Sequence, residues 1–136
     1  MDMDAALEIA ASGMQAQAAR LRVVAENIAN ADSTGSAPGA AAYRRRVVTF
    51  ADRLDAARGV STVAVARVSE AAGAAPLKYD PSHPAADARG YVKMPNVDPF
   101  VESMDMRAAE RGYAANVAVV QATRGILSRT LDLLRG

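Results

Sequence analysis

The sequence predicts a mainly α-helical protein with a small β-rich insert: long amino- and carboxy-terminal helices pair as a coiled coil and flank an irregular β middle segment. Three observations carry this reading. Residues 3–31 hold a seven-residue apolar repeat, and residues 99–135 hold a second, longer helical periodicity. The stretch between them is broken by glycines, prolines and short β-branched runs. The 136-residue chain therefore divides into a first helix within 1–35, an insert over 36–95 and a last helix within 96–136.

In the first helix Leu7, Met14, Leu21 and Ile28 recur every seven residues, and Ala11, Ala18 and Ala25 follow the first three at a spacing of four. This is an a/d stripe with alanine at a and large residues at d, where small a residues admit a partner helix closely. Asp2, Asp4 and Glu8 lie where the helix dipole favours negative charge. Asn30-Ala31-Asp32-Ser33-Thr34-Gly35 is a dense stop signal.

Residues 35–42 read as a loop, Tyr43 to Phe50 as a strand, Asp52 to Gly59 as a short helical turn, and Val60 to Val68 as a second strand. Leu77 to Tyr79 and Tyr91 to Lys93 suit short extended pieces. Between them Asp80-Pro81-Ser82-His83-Pro84 makes a rigid turn in which two prolines fix φ.

The last helix begins with Asp98 as N-cap and Pro99 as first helical residue. One seam runs Tyr113, Val117, Val120, Leu127, Leu131 and Leu134, interrupted by Arg124. A second runs Met104, Ala108, Ala115, Val119, Ala122, Ile126 and Leu133. Two seams make an apolar arc wider than a two-stranded coil needs. Pairing the first helix with the last covers one face of each; the arc left over is covered either by the middle segment folding back or by neighbouring copies, and helices that flank a compact insert at both chain ends suit the second. Gly13, Gly112 and Gly125 sit inside helices at about 1 kcal/mol each relative to alanine, which marks either close helix approach or simple tolerance on an exposed face.

Composition limits the function classes. The chain is 51% hydrophobic but only 4% aromatic, so much of its apolar content is alanine and its own core is thin. The net charge of +1 gives no long-range pull toward nucleic acid. The absence of cysteine excludes disulfides, thiolate metal sites and cysteine nucleophiles. The acidic Met1-Asp2-Met3-Asp4 start lacks the basic and apolar regions of a cleaved secretory signal.

Ala11-Ser12-Gly13-Met14-Gln15-Ala16-Gln17, then Arg20-Leu21, Ala25-Glu26-Asn27-Ile28-Ala29-Asn30-Ala31 and Ser33-Thr34-Gly35, closely resemble the amino-terminal signature of flagellar rod and hook proteins. Tyr79-Asp80-Pro81-Ser82-His83-Pro84-Ala85-Ala86-Asp87 with Gly90-Tyr91-Val92 and Pro95-Asn96-Val97 resemble the middle segment of that family's proximal-rod member. Glu102-Ser103-Met104-Asp105-Met106, Tyr113 and Ala115-Asn116 resemble its carboxy-terminal helix. The resemblance implies a non-enzymatic subunit without cofactor. It implies export in unfolded form by the flagellar type III apparatus, and polymerisation with copies of itself and other rod proteins into a torque-transmitting tube around a central channel. It also implies a contact with the membrane-ring adaptor at the rod base, and a location in the basal body across the periplasm. Ser12, Gly13, Met14, Glu26, Asn27, Ile28, Asn30, Tyr79, Asp80, Pro81, His83, Pro84, Asp87, Asn96 and Asn116 are the motif residues it singles out.

Competing readings are weaker. His83 with Asp80 and Asp87 is a poor match to metal-ligand spacing. Arg44-Arg45-Arg46 supplies few phosphate contacts, and suits a solvated strand edge or a salt-bridge face. A membrane-surface amphipathic protein would need basic enrichment on the first helix, where Arg20 and Arg22 are offset by Asp4, Glu8 and Glu26. No nucleic-acid or small-molecule partner is expected, and no titratable set converges as an active site would require.

Overall fold

The computed structural model describes residues 2–136. Helix α1 spans Met3–Ala29 and helix α2 spans Pro99–Arg135. Between them lie strands β1 (Arg46–Asp55), β2 (Val60–Glu70), β3 (Leu77–Tyr79) and β4 (Tyr91–Lys93). The mainly helical class with a β insert is the one the sequence predicts.

The helix ends follow local chemistry. The Asp2 carboxylate accepts from the N–H groups of Asp4 (3.0 Å) and Ala5 (3.1 Å), satisfying donors that a helix start leaves free. Asp98 accepts likewise from Phe100 N–H at 2.9 Å, with Pro99 as the first helical residue. Asn30 closes α1, its amide Nδ2 donating to the Glu26 carbonyl at 2.8 Å and its Oδ1 accepting from Ser33 Oγ at 3.0 Å.

β1 and β2 form an antiparallel ribbon with a bulge after Thr49. Here the structure corrects the sequence reading. The first strand starts at Arg46 rather than Tyr43, and Asp52 to Asp55, expected as a helical turn, continue it, with Asp52 opposite Val63 and Asp55 opposite Val60. Asp-Arg-Leu-Asp-Ala-Ala lacks β-branched residues and alternation, yet cross-strand pairing outweighs these local preferences. The turn falls at 56–59. The Asp55 carboxylate accepts from Ala57 N–H at 3.0 Å, and Gly59, at φ +64°, donates to the Asp55 carbonyl at 2.8 Å.

A lone two-stranded ribbon is marginal in water. This one lies along α1, tied by Val63 N–H to Ser12 Oγ (3.2 Å) and by an Arg58–Glu8 ion pair near its tip. β3 and β4 close a smaller unit in which Tyr79 and Tyr91 meet edge to face at 5.3 Å. Gly90, at φ +84°, is required there twice over: a Cβ would also stand 2.9 Å from the Tyr79 ring and 3.1 Å from Pro81.

α1 and α2 pack antiparallel. Their contact face is not the predicted heptad of large residues. Ala10, Ala16, Val23, Val24 and Asn27 are the buried positions of α1, while Leu7, Met14, Leu21 and Ile28 stand half-buried on its flank. Close approach explains the choice, because α2 seats on the side where α1 carries glycine and alanine. A Cβ on Gly13 would stand 2.7 Å from the Asn116 amide, and one on Gly112 would stand 3.0 Å from Gln17. Each helix thus lays an amide side chain over the other's glycine. Among the described residues nothing lies within 4 Å of where a Cβ on Gly125 would stand, so no such contact is seen there.

Candidate assembly surface and the polar junction behind it

Three elements meet where α1 ends, β1 begins and α2 begins. Asn27 and Glu102 are both fully buried there. The Asn27 Nδ2 donates to the Arg46 carbonyl (2.8 Å) and to Glu102 Oε2 (3.0 Å). Its Oδ1 accepts from Arg46 N–H (2.9 Å) and from the Tyr43 hydroxyl (2.9 Å). Every hydrogen-bonding position of that amide is filled in a geometry only an asparagine fits. Burial, and next the Glu26 charge, hold the Tyr43 phenol above its ordinary value of 10.0, so it remains a neutral donor to Asn27.

The opposite oxygen of Glu102 accepts from Arg45 Nε. Arg45 Nη2 reaches on to Asp105 Oδ2 at 3.0 Å, and Asp105 Oδ1 accepts from Arg20 at 2.9 Å. Two guanidinium groups and two carboxylates thereby neutralise each other across α1, the root of β1 and α2. A buried carboxylate needs such pairing. Asn96 Oδ1 accepts from Arg45 N–H at 2.7 Å, fixing the root of the strand. Arg44 donates to the carbonyls of Ala71 (3.0 Å) and Gly73 (2.8 Å), and Arg46 pairs with Glu26 at 3.1 Å. The arginine run is therefore a brace within the chain.

The remaining motif residues cluster in local roles. Ser12 Oγ donates to the Ile9 carbonyl and accepts from the ribbon, while Asn116 Nδ2 donates to Gly112 of its own helix at 2.9 Å. The Asp80 carboxylate accepts from Ser82 Oγ at 2.7 Å and that of Asp87 from Tyr91 N–H at 3.0 Å. Each lies below its ordinary value of 3.8, the Ser82 hydroxyl bond being the main cause at Asp80 and the Tyr91 amide at Asp87. His83 Nδ1 accepts from Ala85 N–H at 3.0 Å, so the ring hydrogen sits on Nε2, 3.3 Å from Thr34 Oγ1. The turn is thereby pinned to the loop after α1, with Pro81 over Gly90 and Pro84 exposed. Among the described residues no group of three or more His, Asp or Glu is placed to hold a metal ion.

The apolar surface lies elsewhere. Asn27 opposes Glu102 and Gly13 opposes Asn116, so the same stagger sets Met3 near Ile126 and α2 overruns α1 by about nine residues, roughly 14 Å. On the overrun Leu131 is exposed, and Leu133 and Leu134 are 83% and 80% exposed. Of the candidate interface residues on α2, Val117, Val120 and Leu127 are half-buried, whereas Tyr113, Leu131 and Leu134 are exposed. The second seam lies open along the helix at Met104, Ala115, Val119, Ala122 and Ile126. Among the described residues no helix is long and apolar enough to cross a membrane. The sequence offers Asn27 either as an amide bonded across the helix pair or as a solvent-facing one, and the structure shows the first; the Glu102, Asp105 and Arg20 partners are far apart in the chain and no local rule joins them. The signals present were Asn27 on α1, Glu102 and Asp105 one turn apart on α2, and the arginine run between them.

Paired terminal helices around a braced insert, with bare leucines at one end, define a helical building block with apolar surface left uncovered. Residues 7–35 match the family described as flagella basal body rod protein, and residues 88–133 match the flagellar basal body rod FlgEFG protein C-terminal family. The flagellar basal-body rod protein FlgC of Agrobacterium fabrum is 50% identical over 133 residues, covering 98% of this chain and 96% of its own length. The FlgC proteins of Salmonella typhimurium and Bacillus subtilis are 44% and 33% identical, each alignment covering 93% of this chain and 93% and 95% of the relative. The chain belongs to the flagellar basal-body rod protein FlgC family.

Proposed function

We propose that the chain polymerises through its two terminal helices, burying Leu7, Met14, Leu21 and Ile28 of α1 and Tyr113, Val117, Val120, Leu127, Leu131 and Leu134 of α2 against other subunits. As a member of the FlgC family it is a structural subunit of the flagellar basal-body rod, and it associates with other rod components. The finer reading is a position in the proximal rod, around the export channel, where the subunit passes torque outward. Its partners in that reading are further copies, neighbouring rod proteins and the adaptor at the membrane ring, reached after export by the type III apparatus. The role is mechanical and without catalysis, in keeping with relatives whose names are those of rod proteins.

The observation that carries the reading is the bare carboxy-terminal end of α2. Leu131, Leu133 and Leu134 face water in the single chain, and each gains about 1.5–3 kcal/mol on full burial. A variant carrying Leu131→Asp and Leu134→Asp is expected to keep the circular dichroism of the parent, because neither residue supports the chain's own core. Isolated basal bodies should then lack it, and cells bearing only this variant should not swim. Normal incorporation and swimming would refute the proposed role of this end.

A further inference from the structure

The two outer seams lie on opposite faces of the helix pair. On α1 the row Leu7, Met14, Leu21 and Ile28 sits about 90° round the helix from the side that meets α2, taking 3.6 residues per turn. The ribbon covers the other flank of α1, through Ser12 and Glu8. On α2 the row Met104, Ala115, Val119 and Ile126 is also about 90° from its contact side. Because the helices run antiparallel, the two quarter-turns open toward opposite faces: the α2 row lies on the ribbon's side, and the α1 row, with Tyr113 and Val117 of α2 beside it, on the far side.

We infer that the α2 row of one copy seats in the shallow valley between α1 and α2 of a second copy, the α1 row forming one wall. This rests on the rod reading above and names which face meets which. Three features select a second copy as the occupant. Where the two helices overlap the rows match in length: Leu7 and Ile28 are 21 positions apart and Met104 and Ile126 are 22, or roughly 32 and 33 Å. The named residues of both rows are uncharged, so the rows themselves bring no ion into the contact. Their placement on opposite faces makes the contact heterologous: each copy presents a used and an unused face, and the series continues instead of closing into a dimer.

The contact area also explains why copies would not pair freely. A strip about 32 Å long and one helix wide, about 10 Å, covers roughly 300 Å² per partner. A stable pair needs about 800 Å². A single such contact is therefore transient, and a subunit stays only where it meets several neighbours at once, as at the end of a growing rod.

The chain has no cysteine, which makes the test direct. Met14→Cys is co-expressed with Ala108→Cys, Ala115→Cys or Ala122→Cys in separate strains, and basal bodies are isolated and oxidised. At least one mixed pair is expected to form a disulfide-linked dimer, with single-variant controls forming little. Dimers confined to the single-variant controls would mean an isologous contact and would overturn the inference. Normal incorporation without any mixed dimer would overturn it too, while leaving the rod reading intact. Absence of the parent chain from isolated basal bodies would remove both.

Discussion

Asn27 and Glu102 stand 75 positions apart yet share one hydrogen bond with no access to water. Apolar residues of the same shape could fill that space without desolvating a charge, and such replacements are often neutral or stabilising. What the polar pair adds is directionality. Four hydrogen bonds on Asn27 and two acceptors on Glu102 accept one relative placement of α1, β1 and α2. Glu102→Ala removes the carboxylate and leaves Arg45 and the Asn27 amide without that partner. The expected loss is about 3 kcal/mol, at the low end for breaking a buried pair, because Arg45 stays partly wet and keeps Asp105. Urea denaturation monitored by helicity measures it, and a loss under about 1 kcal/mol would mean that the junction contributes little.

At the scale of elements, the helices were readable from the sequence and the ribbon only in part. Asp98-Pro99 marks the start of α2, and α1 ends within two residues of the expected stop. Those signals are local and act through the helix's own unsatisfied groups. The extension of β1 through Asp55 depends on β2 instead, a partner that no local rule supplies. The face of α1 that meets α2 was missed for a similar reason: a heptad of large residues is the louder pattern, whereas helices approach most closely where Gly13 and Gly112 remove bulk. The β3–β4 turn was legible as a rigid unit, and its chemistry predicts an acid response. Asp80 and Asp87 are held below 3.8, so the folded turn favours their charged forms. Their contribution is fully present above the ordinary carboxylate value and is lost as pH falls through the depressed values. Amide exchange at Ser82 and Tyr91 should therefore rise, relative to that of α1, below about pH 3.8. Unchanged protection down to pH 2 would show that the two carboxylates do not hold the turn.

Across the whole molecule, the resemblance carried by Ala11 to Gly35 and by Tyr79 to Asn116 made the family legible before any fold was known. What it could not supply was the division of labour along the helices. Seen as one object, the chain is covered where α1 is clasped between α2 and the ribbon, and bare where α2 runs on alone. In dilute solution the amides of residues 10–27 should exchange slowly, and those of 126–135 within the dead time of a manual experiment. In assembled rods the latter should become protected. Equal exchange of 126–135 in the two states would mean that this end stays solvated in the assembly.

The stagger between the helices gives the subunit a head and a foot. Its oily leucines and the tip of the ribbon lie toward one extremity, and the charged knot and the proline-rich turn toward the other. A copy laid upside down beside another would set its bare leucines next to the proline-rich turn, away from the neighbour's own leucines. On the rod reading proposed above, successive copies that point the same way are the ones that bring these leucine ends together.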